Sequence, residues 1–511
     1  MDMLVLLAFI IYFMVVLGVG FYFYNKTHNM SDYVLGGRDM NPYVTAMSAQ
    51  ASDMSGWLLM GLPGSIYLSG MGQIWIGIGL AIGSYLAWLF VAKRLRKYSE
   101  KCNNSLTVPV FFSNRFRDDK GYIRVVAGVA ILFFFTIYVA SGFVAGGKLF
   151  NLVFSEIGYE LAVIITGFII VLYTFSGGFK AVCWTDFIQA IMMIIAVVVV
   201  PLVALGEIGG GWDTVSSTFN SLVNNGTNLL WSGGEPITAI VLLSCLAWGL
   251  GYVGMPHILV RYMAIKNPEE VKVARRVGTL WVVVALASVG FIAVIGRVYL
   301  GNPAGFDAEN VFIQMVSNLF GNSAPIIAGF LYAAILAAIM STADSQLLVA
   351  ASAITNDLYN KKGEKKIDDN RLMWMSRICV AIIAVIGVLI ALSGNNNIMG
   401  LVSFAWAGFG ASFGPVMVLA LFWKRMNRQG ALASMIVGFL TVILWNTLFI
   451  SEGVFGKMFG IQTFVWDSGL YELLPAFILS LIVGVVVSRM TEEPTEEIKR
   501  EFDEATAGKF Y

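Results

Sequence analysis

Apolar runs long enough to cross a lipid bilayer recur along the whole 511-residue chain, near positions 3-24, 42-70, 73-92, 124-150, 160-176, 184-205, 237-255, 274-299, 325-357, 373-393, 398-422, 430-450 and 471-488. A hydrocarbon layer about 30 Å thick takes about 20 residues of helix, so the pattern predicts an all-α integral membrane protein with about 13 transmembrane helices. The polar stretches between the runs are short, and no separate soluble domain fits. The charges sort by side. With the N-terminus outside, only Lys148, Arg297 and Lys457 of the 33 Lys and Arg residues fall on the outer face, a bias that fits the positive-inside rule. The first apolar run has no basic residue before it and Lys26 after it. It reads as a retained helix with its N-terminus outside, which puts the C-terminus in the cytoplasm.

Three spans break the apolar pattern. The second, TAMSAQASDMSGWLLMGLPGS, carries Asp53 in mid-span beside Gly56, with Gly61, Pro63 and Gly64 beyond. The seventh, LLSCLAWGLGYVGMPHILVRYM, is interrupted by Gly249, Gly251, Gly254 and Pro256. The two starts are five spans apart, an odd number, so equivalent helices would cross in opposite directions. Paired interrupted spans in two inverted halves mark a transporter's binding site. The ninth, ILAAIMSTADSQLLVAASAITNDLY, places hydroxyls and a carboxylate where lipid favours apolar side chains. At 100° per residue, Ala338, Ser341, Thr342 and Ser345 share one arc of about 100°, with Asp344 about 60° to its other side.

An interrupted helix leaves carbonyls without intrahelical donors, tolerated only where protein, water or an ion satisfies them. Hydroxyls facing such carbonyls make an all-oxygen cage suited to a hard cation such as Na+. The alternative use of Ser341 and Thr342 is to bond back to their own helix or tie it to a neighbour. Mid-span ionisable groups are costly enough to suggest function, and Asp53 is the strongest case. Asp186 lies close to its helix start, where a plain dipole contact is the alternative. Arg38 reads either as a functional residue or as a positive-inside anchor. Trp248 and Tyr252 lie four apart and share a helix face, giving a wall with polar tips. Tyr138 fits the same wall, or simple packing.

Composition supports this picture and narrows it. Hydrophobic residues make up 58% of the chain and charged residues 13%, too apolar for a soluble enzyme. The four cysteines are scattered without CxxC spacing, and His28 and His257 are isolated, so neither a transition-metal site nor a disulfide framework is expected. The polar residues concentrate in three spans rather than forming rings along a pore. No HExxH or paired catalytic motif suggests an intramembrane enzyme. Only about twenty mostly polar residues follow Met490, too few for a signalling module.

Four segments, GGRDMNPYVTAMSAQASDMSGWLLMG, LYTFSGGFKAVCWTDFIQA, AWGLGYVGMPHILVRYMA and AAIMSTADSQLLVAASAITNDLY, together resemble the sodium/solute symporter family, above all its proline-carrying bacterial members. The likeness is ordered along the chain from roughly residue 5 to 490. It implies a LeuT-type core of two inverted five-helix repeats plus peripheral helices. The divisions are 1-40 for a peripheral helix and cytoplasmic loop, 41-205 for the first repeat (spans 2 to 6), 237-425 for the second (spans 7 to 11), 426-490 for peripheral spans 12 and 13, and 491-511 for a cytoplasmic tail.

The resemblance also implies a function: sodium-coupled import of L-proline by alternating access across the bacterial inner membrane, with Na+ as coupling ion, no other cofactor, no enzyme activity and no nucleic-acid partner. Other solutes of the family, such as another amino acid, pantothenate, a sugar or sialic acid, are the alternative. Carried over residue by residue, it assigns sodium to backbone oxygens of Ala51, Met54 and Ala338 with the hydroxyls of Ser341 and Thr342. It assigns substrate binding to Asp53, Ser55, Gly56, Tyr138, Trp248, Tyr252 and Met255, and coupling at the cytoplasmic gate to Arg38. Asp186, Asp344 and Ser345 fall where a second sodium or a coupling role would sit. Two residues depart from the family pattern: Met255 stands where glutamine is expected, and Asp344 where serine is common.

Overall fold

The computed structural model describes residues 3–24, 26–27, 29–175, 178–301, 303, 305–355, 369–394, 397–451, 453–461 and 465–507. His28, the end of the predicted ninth span at 356–357, the basic stretch 361–368 and the tail end 508–511 lie outside the described residues. Helices follow the apolar runs. In order they are α1 (Met3–Tyr24), α2 (Pro42–Ala51), α3 (Leu62–Ser69), α4 (Met71–Lys101), α5 (Tyr122–Val153), α6 (Tyr159–Phe175), α7 (Phe179–Glu207), α8 (Ala239–Ala247) and α9 (Pro256–Ala264). There follow α10 (Val271–Leu300), α11 (Pro325–Ser352), α12 (Asp369–Leu392), α13 (Ile398–Phe422), α14 (Arg428–Leu448), α15 (Leu473–Met490) and α16 (Glu496–Thr506).

Among the described residues ten helices are long and apolar enough to cross a membrane, or eleven with the pair Ala239–Val253 and Pro256–Ala264, bent by 46°. The protein is a multi-pass membrane protein. The expected thirteen is approximate, because the second span is divided into α2 and α3 and the fifth, α6, has only 17 residues. Three boundaries differ in ways that matter. The third span, α4, runs on to Lys101 instead of stopping at 92, so Lys93, Arg94, Arg96 and Lys97 are helical rather than loop residues. The seventh span resumes after its break and ends at Ala264, which makes Arg261 a helix residue. The sixth begins at Phe179 rather than 184, placing Asp186 two turns inside it.

Local chemistry sets the ends. Asn41 starts α2 by accepting from the amides of Tyr43 (2.8 Å) and Val44 (3.4 Å), with Pro42 in the first turn. Side-chain oxygens of Asn397 and Asn427 cap α13 and α14 in the same way, each satisfying an otherwise orphaned amide. Gly70, at φ +91°, makes the turn between α3 and α4.

Hydropathy alone cannot separate lipid-facing from protein-facing helices, since both are apolar. Burial does. The most apolar windows of α13 and α11 are 94% and 83% buried, against 33% for α1, α12 and α14 and 28% for α15. The helix α11 therefore sits inside the bundle, packed on α1, α5 and α7, while α14 and α15 pair with one another and with α13 at the side. Backbones meet where α4 crosses the turn after α8, Gly83 lying against Gly249. A Cβ on either would collide with the opposing chain.

Candidate functional site

The site grows from the interruption in the second span. Ser and Asp offer the backbone alternatives to helical bonding, and at Ser52-Asp53 the ladder fails: the Ser55 amide donates to Asp53 O (3.0 Å) instead of Ala51 O, and the Leu58 amide donates to Ser55 O (3.0 Å). The released Ala51 carbonyl is met by α11. It accepts from Ser341 Oγ at 2.8 Å and Thr342 Oγ1 at 3.3 Å, while Ser341 Oγ also lies 3.2 Å from Ala338 O. Four of the five residues expected to form one oxygen cage thus converge at this contact. Met54, the fifth, is fully buried in the break itself. Gly56 lets the break pack closely, since a Cβ there would sit 2.7 Å from Ala145 Cβ.

Asp53 is also fully buried, and its Oδ2 accepts a hydrogen bond from the Tyr252 hydroxyl. Its carbonyl accepts from Trp57 Nε1 at 3.0 Å and Tyr138 Oη at 3.4 Å, and Asp53 Oδ1 has no hydrogen-bond partner among the described residues. Asp53, Tyr138 and Tyr252 therefore form one cluster at the meeting of the two broken spans. Ser55 contributes a buried hydroxyl 3.5 Å from the Trp57 amide.

Trp248 lies at the edge of this cluster. It stacks on Tyr471 (centroids 5.1 Å apart, 18° between planes), and its carbonyl accepts from Trp406 Nε1 at 2.8 Å, while Tyr252 meets Trp406 edge-on at 5.3 Å. Gly251 makes room for the Trp406 indole, which a Cβ would strike. Of this layer, Trp248 and Tyr471 line a cavity of about 820 Å³ whose walls also include Gly61 and the charged residues Lys148, Asp307 and Glu309. Lys148 Nζ pairs with Asp307 at 2.7 Å and Glu309 at 2.6 Å. Asp53, Tyr138 and Tyr252 lie outside the cavity lining. Met255 precedes α9, its side chain buried and making no capping bond.

Arg38 sits in a separate buried polar cluster. Its φ is +53°, and its guanidinium donates to Asn104 Oδ1 (2.8 Å), Ser99 Oγ (3.0 Å), Met263 O (2.7 Å) and Ser105 O (2.8 Å). It joins the end of α4 to the last turn of α9, beside a backbone pairing of Met40 with Ala264 and Lys266.

Asp186 departs from its expected surroundings. It makes no helix-start dipole contact but forms a fully buried ion pair with Arg261 at 2.9 Å and accepts from Ser48 Oγ at 2.6 Å. Ser345 belongs to the same cluster, accepting from Arg261 Nη2 at 2.5 Å and donating to Ser341 O at 2.7 Å. Asp344 Oδ1 lies 3.3 Å from Ser345 Oγ, and its Oδ2 has no hydrogen-bond partner among the described residues. Arg261, Ser48, Trp406 and Tyr471 were not singled out in the sequence. The signal for Arg261 was present: its VRYM segment follows the break in the seventh span, where the helix resumes over Pro256–Ala264 and carries the arginine.

Comparison with known proteins adds ancestry to this geometry. Residues 33–438 match the model of the sodium:solute symporter family. The osmoregulated proline transporter OpuE of Bacillus subtilis is 43% identical over 98% of this chain and 98% of its own, and the sodium/proline symporter of Escherichia coli is 42% identical over 98% and 96%. Among solved structures, a substrate-bound, outward-open Na+-coupled sialic acid symporter superposes with TM-score 0.77 at 19% identity, covering 97% of this chain and 99% of that one. MhsT in complex with L-phenylalanine gives 0.55 at 12%, covering 88% and 98%. These structural likenesses establish the fold, a LeuT-type core with peripheral helices. With a family model spanning most of its length and relatives above 40% identity along nearly all of it, the chain belongs to the sodium:solute symporter family.

Proposed function

We propose that the chain is a sodium-coupled symporter that imports L-proline by alternating access, catalysing no covalent reaction. The observation that carries the sodium half is the Ala51 carbonyl, released from α2 and faced by the Ser341 and Thr342 hydroxyls of α11. When those hydroxyls turn their lone pairs inward, they and the carbonyls of Ala51, Met54 and Ala338 form a neutral oxygen cage for one hard cation. Asp53, two residues along, supplies negative charge nearby without entering the cage. Relatives named as proline transporters, 41–44% identical over 95–98% of this chain, support the substrate.

Proline is a compact zwitterion with an apolar ring. Tyr138, Trp248 and Tyr252 supply a ring-stacking wall, Asp53 faces the amine, and the broken backbone at Ser55 and Gly56 faces the carboxylate. The repeats at 41-205 and 237-425 supply the two broken spans, with 1-40, 426-490 and 491-511 as periphery and tail. The cavity above Trp248 opens to the outside of a bacterial inner membrane, and the Arg38 contacts seal the cytoplasmic side, to which the C-terminus belongs. A second reading, the same transport of a different small solute, is favoured only by Met255, an apolar thioether beside the break. A competition panel separates the two: L-proline should suppress sodium-driven uptake of labelled L-proline at the lowest concentration, ahead of other amino acids, pantothenate, sugars and sialic acid. A panel member that outcompetes L-proline would reassign the substrate.

A further inference from the structure

Outside the site described above, a groove of about 770 Å³ runs between α1 and α7 beside the segment 39–41. It opens toward lipid: α1 is one of the least buried helices, and Met14 and Val15 on the groove wall are exposed. Gly18 keeps it open, since a Cβ there would meet nothing within 4 Å. From Met14 to Phe23 the helix advances about 14 Å, close to the depth of one leaflet in a hydrocarbon layer about 30 Å thick. The chemistry changes at the Phe23 end. Phe23 stacks on Trp184, centroids 6.2 Å apart and 16° between planes, an aromatic pair suited to headgroup level. Lys26 and Lys180 line the groove there. Lys26 Nζ donates to the Tyr22 hydroxyl at 2.6 Å, which leaves two of its three ammonium protons for another acceptor. Asp39, the carboxylate in the lining, lies 3.7 Å from Lys180 but 2.9 Å from Lys266, so its charge is shared. An apolar groove one leaflet deep thus ends in three ammonium groups and one carboxylate.

We propose that this groove binds one anionic phospholipid, an acyl chain lying along Met14, Val15 and Gly18 and the phosphate at Lys26 and Lys180. Charge complementarity selects the occupant, because basic pockets between spanning helices take acidic headgroups. A free phosphate ion would have nothing to lay along the apolar wall. A zwitterionic lipid would bring its own cation to the lysines and lose most of the attraction. Lysines scattered at helix ends attract a membrane surface diffusely, whereas here two of them converge on the end of one groove and make a saturable site. The headgroup borders the segment 39–41, whose Asn41 caps α2. The lipid therefore touches the base of the broken second span without entering the oxygen cage or the aromatic layer, and the proposal holds whichever solute is carried.

The test uses delipidated full-length protein in detergent, given equimolar phosphatidylglycerol and phosphatidylcholine with identical acyl chains, and native mass spectrometry to count the lipids bound. The first adduct should saturate at one lipid per chain and favour phosphatidylglycerol by about tenfold, equivalent to about 1.4 kcal/mol. Lys26→Gln/Lys180→Gln should bring that preference below about twofold. Gly18→Leu, which fills the groove, should remove the first adduct of either lipid, and Val15→Phe is the second groove-filling variant should Gly18→Leu fail to fold. Equal binding of the two lipids by the wild type would overturn the proposal. So would a preference that survives in Lys26→Gln/Lys180→Gln, which would place the anionic lipid elsewhere. A dimer that Gly18→Leu dissociates, with no saturable phospholipid adduct on the wild type, would assign the groove to a second copy of the chain and overturn it as well.

Discussion

Asp53→Asn should raise the sodium concentration needed for half-maximal uptake by about 100-fold. The carboxylate is fully buried at the break, its Oδ2 held by Tyr252 and its Oδ1 without a hydrogen-bond partner among the described residues. A unit charge about 6 Å from a cation at an effective dielectric of about 20 contributes about 3 kcal/mol, and 1.4 kcal/mol is a factor of ten. The isosteric amide keeps the shape and the Tyr252 contact but removes that attraction. Sodium-dependence curves for wild type and Asp53→Asn, measured at saturating proline, check it. A shift below about threefold would mean that Asp53 holds the break together without acting on the ion.

Trp248→Ala should weaken proline more than sodium. Its indole stacks on Tyr471 at 5.1 Å and lines the cavity through which substrate would arrive. Losing a buried stacked ring costs about 2 kcal/mol, a rise of about 30-fold in the proline concentration for half-saturation. Trp248 has no part in the oxygen cage at Ala51, Ser341 and Thr342, so the sodium requirement at saturating proline should stay within about threefold. Equal losses of sodium and proline affinity would point to collapse of the aromatic layer, and an unchanged proline affinity would place the substrate elsewhere.

What the sequence made legible was whatever a period or a break could carry. Long apolar runs marked the helices, and Gly and Pro marked the two interruptions. The 100° rotation per residue brought Ala338, Ser341 and Thr342 to one side of α11, where the Ala51 carbonyl of α2 meets the Ser341 and Thr342 hydroxyls. Hidden were the contacts between spans far apart in the chain. Nothing local tells Arg261 that its partner is Asp186, 75 residues away, or Trp248 that Tyr471 will lie beside it. Sequence position misled where a helix boundary moved: starting α7 at Phe179 took Asp186 from a helix end to a buried pair, and extending α9 to Ala264 took Arg261 from a loop into the bundle. Lipid-facing and protein-facing helices shared one hydropathy signal, so the central place of α11 and α13 emerged only from packing.

The most direct test of sodium-coupled proline transport is accumulation of labelled L-proline by reconstituted proteoliposomes under a controlled sodium gradient and potential. One net charge moving through 100 mV contributes about 2.3 kcal/mol and a tenfold sodium gradient about 1.4 kcal/mol, together enough for a several-hundred-fold proline gradient. The expected result is accumulation of that order which collapses when sodium is replaced by choline and falls when the potential is short-circuited. Equal accumulation without sodium, or accumulation driven fully by a proton gradient alone, would contradict it.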